Sequence, residues 1–238
     1  MIIRLRYNKL GKIRFIGHRD VARVFERAMR GAQVPVAYSE GFSPRPKLAF
    51  GLALSVGYES DNEYLDVVLS QDTDLEQLLA GITKTLPEGI GLLEVGEVQR
   101  GQTSLMEAVT SCDWHIDYRC ADARGVQEIA DSVERLIAAD TVTITRERKG
   151  KTVEDDIRPD VLSAKVFMKP EQATGRIVTE LSTERRSLRP AELLSALDSN
   201  VDVAKLRRVH QWISHGEARI EPHEAVVSRA AHSVGSAS

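Results

Sequence analysis

The stretch YSEGFSPRPKLAFG, residues 38–51, sets two cations, Arg45 and Lys47, around a pair of prolines. Pro44 and Pro46 fix their own φ and push Ser43 and Arg45 into extended conformations, and Gly41 permits a positive φ. A loop stiffened in this way loses less entropy when it holds a ligand. Arg45 and Lys47 are two apart, so in an extended chain they are expected to point the same way. Tyr38 and Phe42 add aromatic faces, and bases beside aromatics suit single-stranded nucleic acid or another phosphorylated ligand. The alternative is a stiff connection in which Arg45 pairs with the acidic segment 59–66.

A second group lies upstream. Gly17-His18-Arg19-Asp20 stands where a strand feeds a helix, and helix N-terminal amides attract anions. His18 and Arg19 add side-chain donors there. Asp20 competes, because its carboxylate can occupy the same amides as a cap. Val21, Val24, Phe25, Ala28 and Met29 recur with helical spacing. Arg19, Arg23, Arg27 and Arg30 then fall along one exposed flank. The candidate anion-binding residues are therefore His18, Arg19, Arg23, Tyr38, Phe42, Arg45 and Lys47. No catalytic residue is assigned. A general acid–base histidine needs a second placed group, and none accompanies His18 in the sequence.

Charge is distributed unevenly. Residues 1–50 hold 11 Lys and Arg against 3 Asp and Glu, whereas residues 51–110 hold 2 against 11. A basic segment in a chain of net charge −3 is a candidate anion-binding surface. Equally, the two segments could neutralise each other across neighbouring strands.

Several chemistries lack their motifs. There is no GxxxxGK[ST] loop, no GxGxxG turn, no HExxH and no GxSxG elbow. The six histidines show no compact metal-ligand spacing, and Cys112 and Cys120 cannot by themselves complete a cysteine-ligated metal or iron–sulfur site. No metal or other cofactor is expected. Arg4 and Arg6 interrupt the apolar start of the chain, and the longest apolar run, near Leu48–Val56, is too short for a membrane span. The expected location is cytoplasmic, with no membrane partner.

The elements that must carry these residues follow from periodicity. Ile2–Tyr7 and Lys12–Ile16 read as strands, followed by the Asp20–Gly31 helix and a short strand over Val34–Tyr38. Leu48–Val56, Tyr64–Leu69 and Ile90–Val98 read as strands, with a helix capped by Asp72 or Thr73 before the last. The order is strand, helix, strand, strand, helix, strand, plus an N-terminal hairpin. The second half repeats it: a strand at Cys112–Arg119, a helix at Val126–Ala138, a hairpin about RKGK, strands at Val161–Met168 and Ile177–Leu181, a short helix after Pro190, and a strand at Val203–Ile213. This predicts an α+β fold of tandem ferredoxin-like (βαββαβ) domains with an extra N-terminal hairpin. The expected domains are 1–104 and 105–216, with 217–238 as a tail without order. In EDDIRPDV, Arg158 is expected to pair with Asp155, Asp156 or Asp160.

The run IRFIGHRDVARVFERAMRGAQVPVAYSEGFSPRPKLAFGLALSVGYES, with EYLDVVL and the later DIRPDVL, resembles a bacterial radical-SAM-linked protein family, a domain of unknown function. His18 and Asp20 match its turn, and Phe25, Arg27 and Ala28 its helix. Tyr38, Ser39, Gly41, Phe42, Pro44, Pro46 and Lys47 match its loop. The similarity spans about residues 1–215 and departs at Gly17, where the family often has serine. The resemblance implies an accessory protein, encoded beside or fused to a radical SAM enzyme, that binds that enzyme or its substrate. The chain has no CxxxCxxC cluster motif and is not expected to cleave S-adenosylmethionine itself. The expectation is a non-catalytic accessory protein that binds RNA or another anionic substrate, a radical SAM partner, or both. A metal-independent endoribonuclease using His18 and a pure protein–protein adaptor are the alternatives.

Overall fold

A computed structural model describes residues 1–99, 101–148, 150–197, 201–215 and 218–231. The fold is mixed α+β, and the chain divides into two compact units, 1–109 with 212–238 and 110–211. The division falls at 109/110 rather than the expected 104/105, and the end of the chain belongs to the first unit.

In the first unit, Ile3, Leu5 and Tyr7 alternate along β1 (Ile2–Lys9) and are buried on one face. They meet the apolar stripe of α1 (His18–Gly31), which buries Val21, Val24, Phe25, Ala28 and Met29. β2 (Leu48–Phe50) and β3 (Glu59–Val68) follow, then α2 (Leu75–Thr83), which adds Leu78, Leu79 and Ile82 to the same core. Asp74, not Asp72 or Thr73, caps α2, accepting from the amides of Glu76 and Gln77. β4 (Ile90–Glu97) completes the set, and the strands lie in the order β4-β1-β3-β2 with antiparallel pairing throughout. α3 (Leu105–Ala108) is a single turn in the segment that leads out of the unit.

The N-terminal hairpin expected from the sequence does not form. Gly11–Phe15 is a 3-10 turn with Gly11 at φ +69°, and Lys9 Nζ donates to the carbonyls of Arg14 and Ile16 across it. Val34–Tyr38 makes two isolated bridges, Val36 to Leu69 and Tyr38 to Pro46, rather than a strand.

The second unit opens with β5 (Val109–Arg119) and α4 (Ala123–Ala138). β6 (Thr143–Arg148) and β7 (Lys151–Asp156) form a separate two-stranded ribbon. β8 (Val161–Lys169), β9 (Thr174–Ser182), α5 (Pro190–Ser195) and β10 (Asp202–His215) follow, the last residues of β10, from Trp212, being counted with the first unit. The order is β10-β5-β9-β8, and the ribbon is an insertion between α4 and β8. Cys112, Trp114, Ile116 and Tyr118 of β5 are buried, with Ile129, Val133 and Leu136 of α4.

Residues 218–231, read above as part of a tail without order, carry two further strands. β11 (Ala218–Ile220) pairs with the end of β10, and β12 (Ser228–Ala231) pairs with β4. Residues 232–238 lie outside the described residues. The local sequence gave no sign of this order because its contacts are remote. Arg4 Nη1 donates to the Pro222 carbonyl at 3.0 Å, and Tyr64 Oη lies 3.1 Å from His223 Nδ1. Arg6 Nη1 lies 3.4 Å from His223 Nε2.

A guanidinium only donates, so Nε2 of His223 must accept and its proton must sit on Nδ1. Burial, and then the Arg6 charge, hold the His223 pKa below its usual 6.5, against the opposing pull of Glu94, Glu221 and Glu224. The unfolded chain therefore takes up this proton at a higher pH than the folded one. The stability contributed by neutral His223 is present above about pH 6.5 and is lost as pH falls from there through the lowered folded value. Hydrogen exchange at Val227, whose amide donates to Glu97 O at 2.8 Å, is expected to lose protection below about pH 6.5 after correction for intrinsic rates. His223→Gln should flatten that dependence; a profile identical to the wild type would show that His223 does not control it.

Candidate anion-binding groove

The segment 35–48 leaves α1 and returns to β2 as a clasped loop. Ser39 N donates to Arg45 O at 2.8 Å, and Arg45 N donates back to Ser39 Oγ at 3.0 Å. Lys47 N donates to Ala37 O, and Ala37 N in turn to Val68 O of β3, both at 2.8 Å. The tip turns at Gly41, whose φ of +118° disfavours any side chain. The two prolines therefore stiffen a loop already closed by its own hydrogen bonds.

Between this loop and α1 lies a groove of about 780 Å³. Ala22, Glu26, Met29 and Arg30 form its helix wall, and Tyr38, Pro44, Arg45 and Pro46 its loop wall. Phe50 of β2 closes one side, and its ring is held edge-on by Phe25 of the core.

The structure brings together some of the residues singled out from the sequence and separates others. Tyr38 and Arg45 line the groove. His18 does not line it, but its ring is edge-on to Phe50, which does, at 4.9 Å. Lys47 is not among the residues that line it; its amide donates to Ala37 O and its carbonyl accepts from Val68 N, so its backbone ties the loop to β3. Phe42 stands fully exposed at the loop tip. Arg23 pairs with Asp20 at 3.1 Å on the solvent side of α1, an exposed contact of small energy. Asp20 makes no cap; the N-cap position is Gly17, which supplies no side-chain bond.

Arg30 was visible as a member of the arginine flank, but the sequence did not place it in the site. It follows Arg19, Arg23 and Glu26 at helical spacing, so the same stripe that exposes Arg19 carries Arg30 to the groove.

The charge asymmetry resolves in two ways. The acidic segment 59–66 does pair with basic residues, but with those of β1 and the turn after it. Arg4 makes a forked contact with Asp66 at 2.8 and 2.9 Å, and Arg14 meets Glu59 at 3.3 Å. Arg45 takes no part. Among the described residues, the side chains of Arg19, Arg27, Arg30, Arg45 and Lys47 make no ion pair or hydrogen bond. Arg30 and Arg45 are the two of these that line the groove. Glu26 is the one carboxylate among the residues lining it.

In the second unit, Arg158 does not pair with the carboxylates expected for it. Its guanidinium donates to the Ile137 carbonyl at 3.1 and 2.9 Å and to the Val161 carbonyl at 2.9 Å. Asp155 instead meets Arg146 and Arg186. Asp156 accepts from the amides of Val142 and Arg158, which hold its pKa down.

No helix among the described residues is long and apolar enough to cross a membrane. No curated protein matches the sequence. Among solved structures, a crystal structure of a Cbf5-Nop10-Gar1 complex is similar at a TM-score of 0.45 and 8% identity, over 88% of this chain and 48% of that one. A structure of an H/ACA RNP bound to a substrate RNA containing 2'-deoxyuridine is similar at 0.35 and 12% identity, over 87% and 47%. The chain spans about half the length of each. The sequence pattern of a family described as an uncharacterized protein conserved in bacteria (DUF2344) matches residues 3–190, and the chain belongs to that family.

Proposed function

We propose that this protein is a non-catalytic accessory module whose first unit holds a phosphate-bearing ligand, single-stranded RNA foremost, in the groove between α1 and the 35–48 loop. The observation that carries this reading is the position of Arg30 and Arg45. They occupy two walls of one groove, lack acidic partners, and share it with the half-exposed ring of Tyr38. Cations of this kind bind phosphate, and an aromatic face stacks a base whatever its identity. Arg19, Arg27 and Lys47 extend the positive field, and Phe42 offers a second ring at the loop tip.

The endoribonuclease alternative is less well supported. Among the described residues, the His18 side chain makes no hydrogen bond, and its ring packs on Phe50. The radical SAM partner rests on the sequence resemblance alone, and the role proposed for this chain is to hold the substrate on which that enzyme acts. The strand orders β4-β1-β3-β2 and β10-β5-β9-β8 support reading both units as ferredoxin-like, the second with a ribbon inserted.

The test is binding of a labelled single-stranded RNA followed by anisotropy across a salt series. Arg30→Ala with Arg45→Ala is expected to weaken binding at least tenfold and to lower the salt slope by about 1.4, two phosphate contacts on a single strand. Unchanged affinity and slope would remove the groove from consideration. Co-purification of the tagged protein with a radical SAM enzyme tests the partner separately.

A further inference from the structure

The sheet of the second unit has a buried face and an open one. Tyr118, Ile116 and Trp114 turn inward, on the side where α4 packs against β8 and β9. The residues between them on β5 turn outward. Register places the outward residues of three strands in rows. Arg119, Thr174 and Lys169 are cross-strand neighbours in one row, and Asp117, Arg176 and Phe167 in the next. These rows line an open hollow of about 610 Å³.

The two rows differ in chemistry. Asp117 is neutralised by a forked contact with Arg176, at 2.5 and 3.0 Å, which also fixes the guanidinium plane. Beside it the Phe167 ring is 59% exposed. One row away, Arg119 and Lys169 are exposed and, among the described residues, make no ion pair. Two strand spacings separate their backbones, roughly 10 Å, within reach of converging long side chains. The hollow therefore offers a flat apolar platform with two free cations on one side.

We propose that this hollow is a second nucleotide-binding site, which stacks an unpaired base of single-stranded RNA on Phe167 and holds the adjoining phosphate with Arg119 and Lys169. Charge complementarity selects an anionic ligand, and the exposed ring selects one that also carries a flat apolar face. A four-stranded sheet whose open face stacks bases on aromatic side chains is an established way of reading single strands. The site extends the RNA-holding reading of the first unit but depends on none of its residues.

The experiment uses the full chain and a labelled oligouridine of about twelve nucleotides, long enough for one such platform. Phe167→Ala is expected to weaken binding about tenfold, and Phe167→Tyr to restore it. Arg119→Ala with Lys169→Ala should lower the salt slope by about 1.4. Oligouridine carrying 4-thiouridine should crosslink to the peptide that contains Phe167. Each variant is also made with Arg30→Ala and Arg45→Ala, so that the two sites report separately. If the groove variants weaken binding while Phe167→Ala and the Arg119/Lys169 pair leave it unchanged, this inference falls and the groove reading stands. If only the Phe167 and Arg119/Lys169 variants weaken it, the groove reading falls and this one stands. Equal binding of duplex and single strand, insensitive to Phe167→Ala, would overturn the stacking platform. A dimer that Phe167→Ala dissolves, with no oligouridine bound, would assign the face to a second copy of the chain and overturn it as well.

Discussion

Arg158→Ala is expected to destabilise the second unit by about 3 kcal/mol. A charged donor contributes roughly 1.5–3 kcal/mol per hydrogen bond net, and Arg158 makes three, two of them to one carbonyl. The Ile137 carbonyl belongs to the last turn of α4, where acceptors have no partner within the helix and a positive charge is favoured. Without Arg158 that carbonyl and the one on Val161 lose their donor. The backbone path Ile157–Val161 then loses its tie to the end of α4. Urea unfolding is the measurement, followed by the fluorescence of Trp114 in a Trp212→Phe background. With a slope of about 2 kcal/mol per molar, the midpoint should fall by about 1.5 M. Arg158→Lys should recover less than half of the loss, because one ammonium cannot reproduce the fork. A midpoint within experimental scatter of the wild type would show that the carbonyls find other partners. This result bears on function: the arginine of the DIRP segment, part of the family resemblance, ties down the end of α4.

Gly175→Ala is expected to cost a similar amount, again about 3 kcal/mol, by overpacking. Gly175 and Tyr118 are direct cross-strand partners, and the tyrosine lies over the glycine. A Cβ on residue 175 would stand 2.2 Å from Tyr118 Oη and 2.3 Å from its Cζ. The ring is 1% exposed, so it cannot swing into solvent without leaving the core. Either β5 and β9 part at this pair or the ring is expelled. Tyr118→Phe alone should be neutral or slightly stabilising. The hydroxyl is buried with no hydrogen-bond partner among the described residues, and burial pushes its pKa up to about 12. Combining the two substitutions should leave most of the loss in place, since the clash with Cζ remains. Full rescue by Tyr118→Phe would limit the conflict to the hydroxyl. The same pair borders the proposed nucleotide site, so the Gly175→Ala protein should also bind oligouridine weakly through loss of the sheet's register.

Much of the first unit was legible because its signals are local. The apolar spacing of Val21, Val24, Phe25, Ala28 and Met29 specifies α1, and all five are buried. The stiffness of the 38–47 loop follows from Pro44, Pro46 and Gly41, each of which restricts or frees its own backbone whatever surrounds it. Misreadings occurred where local preference competed with remote contacts. Lys12–Ile16 alternates like a strand, yet Glu59 accepts from Gly11 N and draws Arg14 into an ion pair, and Lys9 ties the following carbonyls into a turn. The C-terminal segment looks unpatterned because its order comes from Arg4, Arg6 and Tyr64, each more than 150 positions away.

The sequence by itself determined that the first fifty residues are basic, that α1 exposes a flank of arginines and that a rigid loop follows. It could not determine which of those arginines are free. That depends on which carboxylates lie within a few ångströms, and Asp66 is 62 positions from Arg4 yet meets it, while Arg45, much nearer in sequence, is left without a partner. Likewise, alternation on β5, β8 and β9 marks inward and outward residues, but only strand register sets Arg119 beside Thr174 and Lys169, and Arg176 beside Phe167. Short-range sterics fix periodicity and turns. Charge pairing and cross-strand neighbours are matters of distance in space, and the tertiary structure alone decides them.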